Sequence, residues 1–132
     1  MLKIAYIGKL NQTNGLIGST IEASFSCNIR FHDPADLVSD PSILDDEGLD
    51  LVIFDLNTSF GLGNAPDNIK KLNRHLSTSP LLVMHPYKKE KFITPLIDAG
   101  ANGVISITPS EDELTQAINN LLNGESYISH PE

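Results

Sequence analysis

The sequence predicts an α/β fold of three layers, a doubly wound (βα)5 domain whose five-stranded parallel sheet has the strand order 2-1-3-4-5. Residues 51–54 form a continuous apolar run, which is typical of a central strand buried on both faces. Four other candidate strands alternate along the chain with segments of helical periodicity. This alternation favours a parallel sheet between two layers of helices.

Each element follows from a local pattern of apolar residues. The strands are predicted at residues 2–7, 28–32, 51–54, 81–85 and 104–107. The helices are predicted at residues 16–25, within 34–47, at 66–76, at 88–99 and between 110 and 124. Residues 8–15, which are mostly polar, are predicted to form a loop after the first strand.

Prolines and capping residues set the expected ends of the helices. Pro41 interrupts the second helical segment. Pro95 lies inside the fourth, which either kinks there or begins late, with Thr94 as its cap. Ser110 and Glu113 have the spacing of a capping box at the start of the fifth helix.

Length and charge bound the class of protein. A chain of 132 residues fits one domain, expected over residues 1–125, followed by a tail or the start of a linker over residues 126–132. Nine basic and seventeen acidic residues give a net charge of -8. That charge argues against direct binding of the domain to nucleic acid or to an anionic membrane.

The single cysteine, Cys27, excludes an internal disulfide and favours a reducing compartment. The first seven residues are too short for the apolar core of a signal peptide, and no apolar run has membrane-spanning length. We therefore expect a cytoplasmic domain that does not contact a membrane.

Asp55 is the first candidate for a functional residue. It directly follows the central strand, and in open parallel sheets ligands bind at the carboxyl ends of the strands. A carboxylate at that place is costly to bury unless it has a partner.

Four segments, in this order and spacing, carry a resemblance to a known family. They are residues 50–55 with Gly63 eight residues on, 79–84, 98–104 and 113–129. The chain resembles a response-regulator receiver domain, the CheY-like family, of the type found at the N-terminus of LuxR-type transcriptional regulators. The resemblance implies the flavodoxin-like topology with the strand order given above.

The resemblance implies a role in two-component signal transduction. In the family, the carboxylate at the position of Asp55 accepts a phosphoryl group from a histidine kinase within a phosphorelay. The receiver is then a regulatory module, not an enzyme. It regulates transcription through a C-terminal DNA-binding domain, which is not present in this chain.

The sequence departs from the family at most of the other pocket positions. The family's acidic pair corresponds to Gly8 and Lys9, its hydroxyl residue to His85 and its lysine to Ile107. The aromatic switch residue of the family corresponds to Val104, and Asn57 stands where a backbone carbonyl binds the metal ion.

These departures argue against a magnesium site. Mg²⁺ prefers carboxylate ligands, and here only Asp55 would supply one. We expect no metal ion; the weaker alternative is a site formed by Asp55 and Asn57. We hypothesise that Lys9 forms an ion pair with Asp55 in place of the metal ion. In the alternative, Lys9 points to solvent and Asp55 accepts hydrogen bonds from loop amides.

His85 has three interpretations. It could donate to a phosphoryl group, act as a pH-sensitive element, or simply be a polar residue at a strand end, which is the interpretation we favour. A metal site at His85 lacks further ligands.

The functional prediction is a degenerate receiver, or pseudo-receiver, that acts by protein–protein contact or dimerisation. One alternative is a receiver in which Asp55 still accepts phosphate from a histidine kinase. Another is a flavodoxin-like FMN-binding protein, because residues 11–15 faintly resemble a phosphate loop.

A dimer surface is predicted where charges of opposite sign open two successive helices. The basic and aromatic side is formed by Lys88, Lys89, Lys91 and Phe92, and the acidic side by Glu111 and Asp112. In one interpretation these charges are ordinary solvated helix ends, with acidic residues favourably placed at an N-terminus. The resemblance implies a self-complementary face through which two copies pair, and we expect a homodimer.

Overall fold

The sheet has the predicted topology and one strand more than predicted. A computed structural model describes residues 1–44, 48–56, 64–76, 78–87 and 89–129. Its strands are all parallel, in the order β2-β1-β3-β4-β5-β6. They are β1 (Leu2–Ile7), β2 (Cys27–His32), β3 (Leu51–Asp55), β4 (Leu81–His85), β5 (Gly103–Ser106) and β6 (Tyr127–Ile128). The predicted fold class is confirmed.

Helices connect successive strands. They are α1 (Gln12–Ser24), α2 (Pro34–Ser39), α3 (Ala65–Asn73), α4 (Glu90–Asp98) and α5 (Glu111–Leu122), with a 3-10 turn at Pro41–Leu44. No helix within the described ranges is both long and apolar enough to cross a bilayer.

The additional strand, β6, lies in the segment that the sequence analysis assigned to a tail. The N–H of Tyr127 donates to the carbonyl of Asn102 at 3.3 Å, and that of Ser129 to the carbonyl of Val104 at 3.0 Å. Gly103 permits this approach, since a Cβ there would lie 3.3 Å from the Tyr127 carbonyl oxygen. A strand of two residues is too short to show a periodic pattern in the sequence.

Helix α1 begins earlier than predicted. Asn11 Oδ1 accepts from the N–H of Asn14 at 2.9 Å, and Asn14 Oδ1 accepts from the N–H of Asn11 at 2.8 Å. This reciprocal capping box starts the helix at Gln12, so the predicted loop over residues 8–15 was too long. The error arose because polar residues that cap a helix resemble a loop in sequence.

The structure contradicts the predicted cap of α4 at Thr94 and confirms the predicted cap of α5 at Ser110. Helix α4 begins at Glu90 and runs through Pro95, so the late start with Thr94 as the cap was wrong. The hydroxyl of Thr94 instead donates to the carbonyl of Glu90 at 3.2 Å. Ser110 does cap α5, because its Oγ accepts from the N–H of Glu113 at 3.1 Å.

The sheet divides the hydrophobic core into two layers. The α3/α4-side core contains residues of alternate strand positions and of α2, α3 and α4, among them Val52, Phe54, Ile69, Leu96 and Val104. The α1/α5-side core faces α1 and α5 and contains, among others, Tyr6, Ile21, Ile53, Met84 and Ile118. Strand β3 is buried along its whole length, as the continuous apolar run predicted, and β4 is buried along its whole length as well.

Candidate functional site

The predicted pocket residues lie along one edge of the sheet. Asp55 ends β3 and His85 ends β4, Gly8 follows β1, and Ile107 follows β5. These four strands are neighbours in the sheet and parallel, so their carboxyl ends meet at the same edge. The structure therefore brings these predicted positions together. Asn57 lies outside the described residues.

Asp55 is buried, and it accepts a hydrogen bond that the sequence analysis did not foresee. Only 5% of its surface is exposed. The hydroxyl of Tyr6, which is fully buried on β1, donates to Asp55 Oδ2 at 3.0 Å. The same hydroxyl lies 3.7 Å from Sδ of Met84. One oxygen of the carboxylate thus faces a neutral donor inside the core.

Strand register explains how Tyr6 reaches the carboxylate. Tyr6 is paired with Ile53 of the neighbouring strand, and Asp55 lies two residues further on the same face of the sheet. The length of the phenol ring spans this offset. The signal in the sequence was a polar-tipped aromatic residue within an apolar strand, since such residues usually bind a partner when buried.

The environment of Tyr6 keeps its hydroxyl protonated. Burial raises the pKa of Tyr6 far above its usual value, and the negative charge and the hydrogen bond of Asp55 raise it further. The phenol therefore acts toward Asp55 as a hydrogen-bond donor at physiological pH.

The residues after β1 supply no acidic pair. Gly8 is buried and its N–H donates to the carbonyl of His32 at 2.9 Å. Lys9 is exposed, and its carbonyl accepts from the side-chain amide of Asn14. The ion pair between Lys9 and Asp55 stays a prediction.

The part of the chain that the structure describes does not fit the magnesium ion that the family resemblance implies. Among those residues, no group of three or more His, Cys, Asp or Glu side chains is placed to hold a metal ion. In addition, the hydroxyl of Tyr6 occupies one of the lone-pair sites of Asp55 Oδ2.

His85 is buried in a neutral environment. Its Nδ1 accepts from the N–H of Tyr87 at 3.2 Å, so the proton of the neutral imidazole is on Nε2. That Nε2 is buried and has no hydrogen-bond partner among the described residues. Burial lowers the pKa of His85.

Aromatic rings connect His85 to the surface of α4. The imidazole stacks on Tyr87 with centroids 5.9 Å apart, and Tyr87 packs on Phe92 at 5.7 Å. Phe92 is 49% exposed, and Nζ of Lys91 lies 5.2 Å from its centroid. Sequence analysis placed His85 and Phe92 separately and missed Tyr87, which joins them.

The remaining pocket positions are apolar. The side chain of Ile107 is half-buried against the α1/α5-side core, while its N–H donates to the carbonyl of His85 at 3.0 Å. Val104 is fully buried in the α3/α4-side core. Neither residue brings a charge or an aromatic ring to the site.

The predicted dimer surface is exposed where the structure describes it. Lys89 directly precedes α4, which contains Lys91 and Phe92, and Glu111 and Asp112 form the first turn of α5. The four charged side chains are exposed. Lys88 lies outside the described residues.

Residues 11–15 do not form the phosphate loop that the flavin-binding interpretation required. They make the cap and first turn of α1. Asn14 is buried, and both ends of its side-chain amide are used within the chain.

Sequence comparison matches part of the chain to a curated protein. No family model matches the chain. The transcriptional regulatory protein ComA of Bacillus subtilis is 33% identical over 82 residues, which are 60% of this chain and 36% of ComA. The chain thus matches about a third of the length of this curated relative.

Structure comparison finds receiver domains. A LuxR family DNA-binding response regulator from Silicibacter pomeroyi superposes with a TM-score of 0.76 at 19% identity, covering 98% of this chain and 97% of that one. The non-phosphorylated receiver domain of the stress response regulator RcsB from Escherichia coli gives a TM-score of 0.79 at 17% identity, covering 98% of both chains. The fold that the resemblance implied is therefore confirmed, since the chain has the same fold as these response-regulator structures.

Proposed function

We propose that this chain is the signal-receiving module of a two-component response regulator, and that it acts by protein contact without conventional aspartyl phosphorylation. The observation that carries the proposal is the surroundings of Asp55. The carboxylate is at the expected strand end, but it is 5% exposed and accepts a hydrogen bond from the buried hydroxyl of Tyr6.

Phosphoryl transfer to Asp55 would require groups that this chain lacks at the family's pocket positions. Such transfer depends on positioning and on neutralising negative charge that spreads over the phosphoryl oxygens. At the family's acidic pair this chain has Gly8 and Lys9, and at the family's lysine it has Ile107. These replacements remove two carboxylate ligands of the metal ion and a cation that would hold the phosphoryl group.

The output of the module is proposed to be DNA binding by another region. ComA is a transcriptional regulatory protein, of which the matched segment is 36%. The charge of -8 disfavours DNA binding by the present domain itself. A region beyond the matched segment would then contact DNA, and this domain would control it.

Incubation with acetyl phosphate and Mg²⁺, followed by intact-mass measurement, tests the proposal. We expect no phosphate adduct on the parent chain under conditions that modify a phosphorylatable receiver run alongside it. An adduct that disappears in Asp55→Ala would overturn the proposal and favour the alternative, a receiver that accepts phosphate from a histidine kinase.

We also propose that two copies associate through α4 and α5. Lys91 and Glu111 carry opposite charges at the starts of the two helices, so a two-fold arrangement would pair each with its counterpart. Exposed ion pairs contribute little alone, and the half-exposed ring of Phe92 supplies an apolar anchor between the charges.

Sedimentation equilibrium tests this association. We expect Phe92→Ser and Lys91→Glu each to weaken the dimer, and the exchange Lys91→Glu/Glu111→Lys to recover part of the loss. Glu22→Lys is the charge-reversal control, because Glu22 is exposed near the end of α1 and lies beside Cys27 of the edge strand β2, on the opposite edge of the sheet from β6. A parent chain that sediments as a monomer at every concentration contradicts the proposal.

A further inference from the structure

The hydroxyl of Tyr6 occupies a place beside Asp55 that is closed to solvent. It donates to Asp55 Oδ2 at 3.0 Å, and Met84 Sδ lies 3.7 Å from the same oxygen atom of Tyr6. Tyr6 and Met84 are fully buried, and Asp55 is nearly so. The hydrogen bond therefore forms within the packed core.

The ring of Tyr6 is held firmly in this position. It packs against Phe31 of β2 with centroids 4.9 Å apart, and Tyr6 itself lies on β1 between two paired strands. Protein interiors are packed closely, so turning a buried phenol away from its partner requires neighbouring side chains to move. The hydroxyl of Tyr6 is therefore held in a fixed position beside Asp55.

A fixed proton donor and a divalent cation compete for the same oxygen. A cation binds a carboxylate through an oxygen lone pair, and the lone pair of Asp55 Oδ2 that faces Tyr6 already accepts a proton. The geometry points to Tyr6 as a residue that weakens the binding of divalent cations to Asp55, because its hydroxyl occupies one of the lone-pair sites of Oδ2. This inference rests on the proposed function, because it adds a cause for the proposed loss of phosphorylation.

Two causes of cation exclusion, the missing acidic pair and the hydroxyl of Tyr6, predict different effects of substitution. If the missing acidic pair alone excluded the cation, Lys9→Asp would be sufficient to gain binding. If Tyr6 excludes it, the acidic residue gains a cation only when the hydroxyl is also removed. Tyr6→Phe removes the hydroxyl and keeps the ring, so the packing against Phe31 is preserved.

Binding of Mn²⁺, followed through the electron paramagnetic resonance signal of the free ion, separates these cases. The samples are the parent, Tyr6→Phe, Lys9→Asp and Tyr6→Phe/Lys9→Asp. We expect the double variant to bind Mn²⁺ about ten- to a hundredfold more tightly than Lys9→Asp, the range set by the loss of a hydrogen bond to a charged group. Adding Asp55→Asn to the double variant should abolish that gain.

Tyr127→Phe/Lys9→Asp is the matched control. Tyr127 is half-buried on β6, at the far edge of the sheet from β1, so its loss should leave Mn²⁺ binding unchanged. The inference is overturned if Lys9→Asp binds Mn²⁺ as tightly as the double variant, or if a double variant with native circular dichroism binds none. Should Tyr6→Phe not fold, Tyr6→Leu/Lys9→Asp replaces the double variant, because leucine also removes the hydroxyl. Equal Mn²⁺ binding by this variant and by Lys9→Asp would overturn the inference.

These outcomes are distinct from failure of the proposed function. An Asp55 phosphate adduct on the parent chain would refute the proposed function. Equal Mn²⁺ binding by Lys9→Asp with and without Tyr6 would refute only the role of Tyr6.

Discussion

Tyr6 and Asp55 meet inside the sheet, with the phenol oxygen 3.0 Å from Oδ2 of the carboxylate. The two residues are 49 positions apart in sequence and lie on neighbouring strands. A carboxylate with 5% of its surface exposed needs hydrogen bonds to be tolerated, and this contact supplies one of them. The contact is therefore expected to stabilise the fold, and its loss should be measurable as a lower free energy of unfolding.

Tyr6→Phe should lower the free energy of unfolding by about 1–3 kcal/mol, the cost of removing one partner from a buried charged group. Urea denaturation followed by circular dichroism measures the change. Tyr127→Phe, which removes a hydroxyl from the half-buried edge strand, is the control and should lose less. Equal losses in the two variants would show that the hydroxyl of Tyr6 contributes nothing particular.

Alkaline pH should destabilise the parent chain through Tyr6. Its pKa in the folded protein is raised by burial and by Asp55 above the value of about 10 of an unfolded chain. The unfolded state therefore releases the proton first, and the contribution of Tyr6 is fully present below about pH 10 and is lost as the pH rises above it.

The measurement follows tyrosinate absorbance and circular dichroism together in one titration. The chain has three tyrosines, and we expect the ionisation of Tyr6 to coincide with the loss of structure. That component should be missing in Tyr6→Phe. Ionisation of all three tyrosines in a chain that is still folded would contradict the prediction.

Mild acid should destabilise the chain through His85. Burial lowers the pKa of His85 below the value of about 6.5 of an unfolded histidine, so the unfolded state takes up the proton more readily. The contribution of His85 is present above about pH 6.5 and is lost as the pH falls from there through the lowered pKa of the folded protein.

His85→Asn tests this pH dependence, because the Oδ1 of asparagine can replace Nδ1 as the acceptor for Tyr87. We expect the free energy of unfolding to fall less between about pH 7.5 and pH 5.5 in the variant than in the parent. His75→Asn, at the end of α3, shows the effect of losing a histidine elsewhere. A parental slope in His85→Asn would assign the pH dependence to other groups.

Asn11→Ala should destabilise the chain by about 1 kcal/mol, because the side chain caps the first turn of α1. The measurement is again urea denaturation. Asn119→Ala is matched to it, since Asn119 is exposed within α5 and alanine has the higher helix propensity. The control should be neutral or slightly stabilising, and an equal loss in both variants would argue against the cap.

Much of the fold could be predicted because it depends on short-range patterns. Residues 81–85 were predicted as a strand and form β4 (Leu81–His85), since the first four of these residues are continuously apolar, as is typical of the buried centre of a sheet. The cap at Ser110 was predicted for a similar reason: the hydroxyl and the amide that it binds are three residues apart.

The contacts that define the site depend on distant parts of the chain. The sequence placed Asp55 and His85 at strand ends, but the pairing of Tyr6 with Asp55 depends on strand register and on the reach of a ring across it. The contacts of Tyr87 with His85 and with Phe92 depend on how the end of β4 and the start of α4 lie relative to each other. A pattern of residue types carries neither kind of information.

The three rings of His85, Tyr87 and Phe92, which are in contact in series, give the protein an internal spectroscopic probe. Ring currents shift the proton resonances of a neighbouring ring according to distance and tilt, so a reorientation of the buried imidazole would change the chemical shifts of Tyr87 and then those of Phe92. Because the chain has no tryptophan and five phenylalanines, the aromatic region of its spectrum is sparse enough for these signals to be followed. Binding of a partner at the surface of α4 could thus be observed from within the core, without attaching a label.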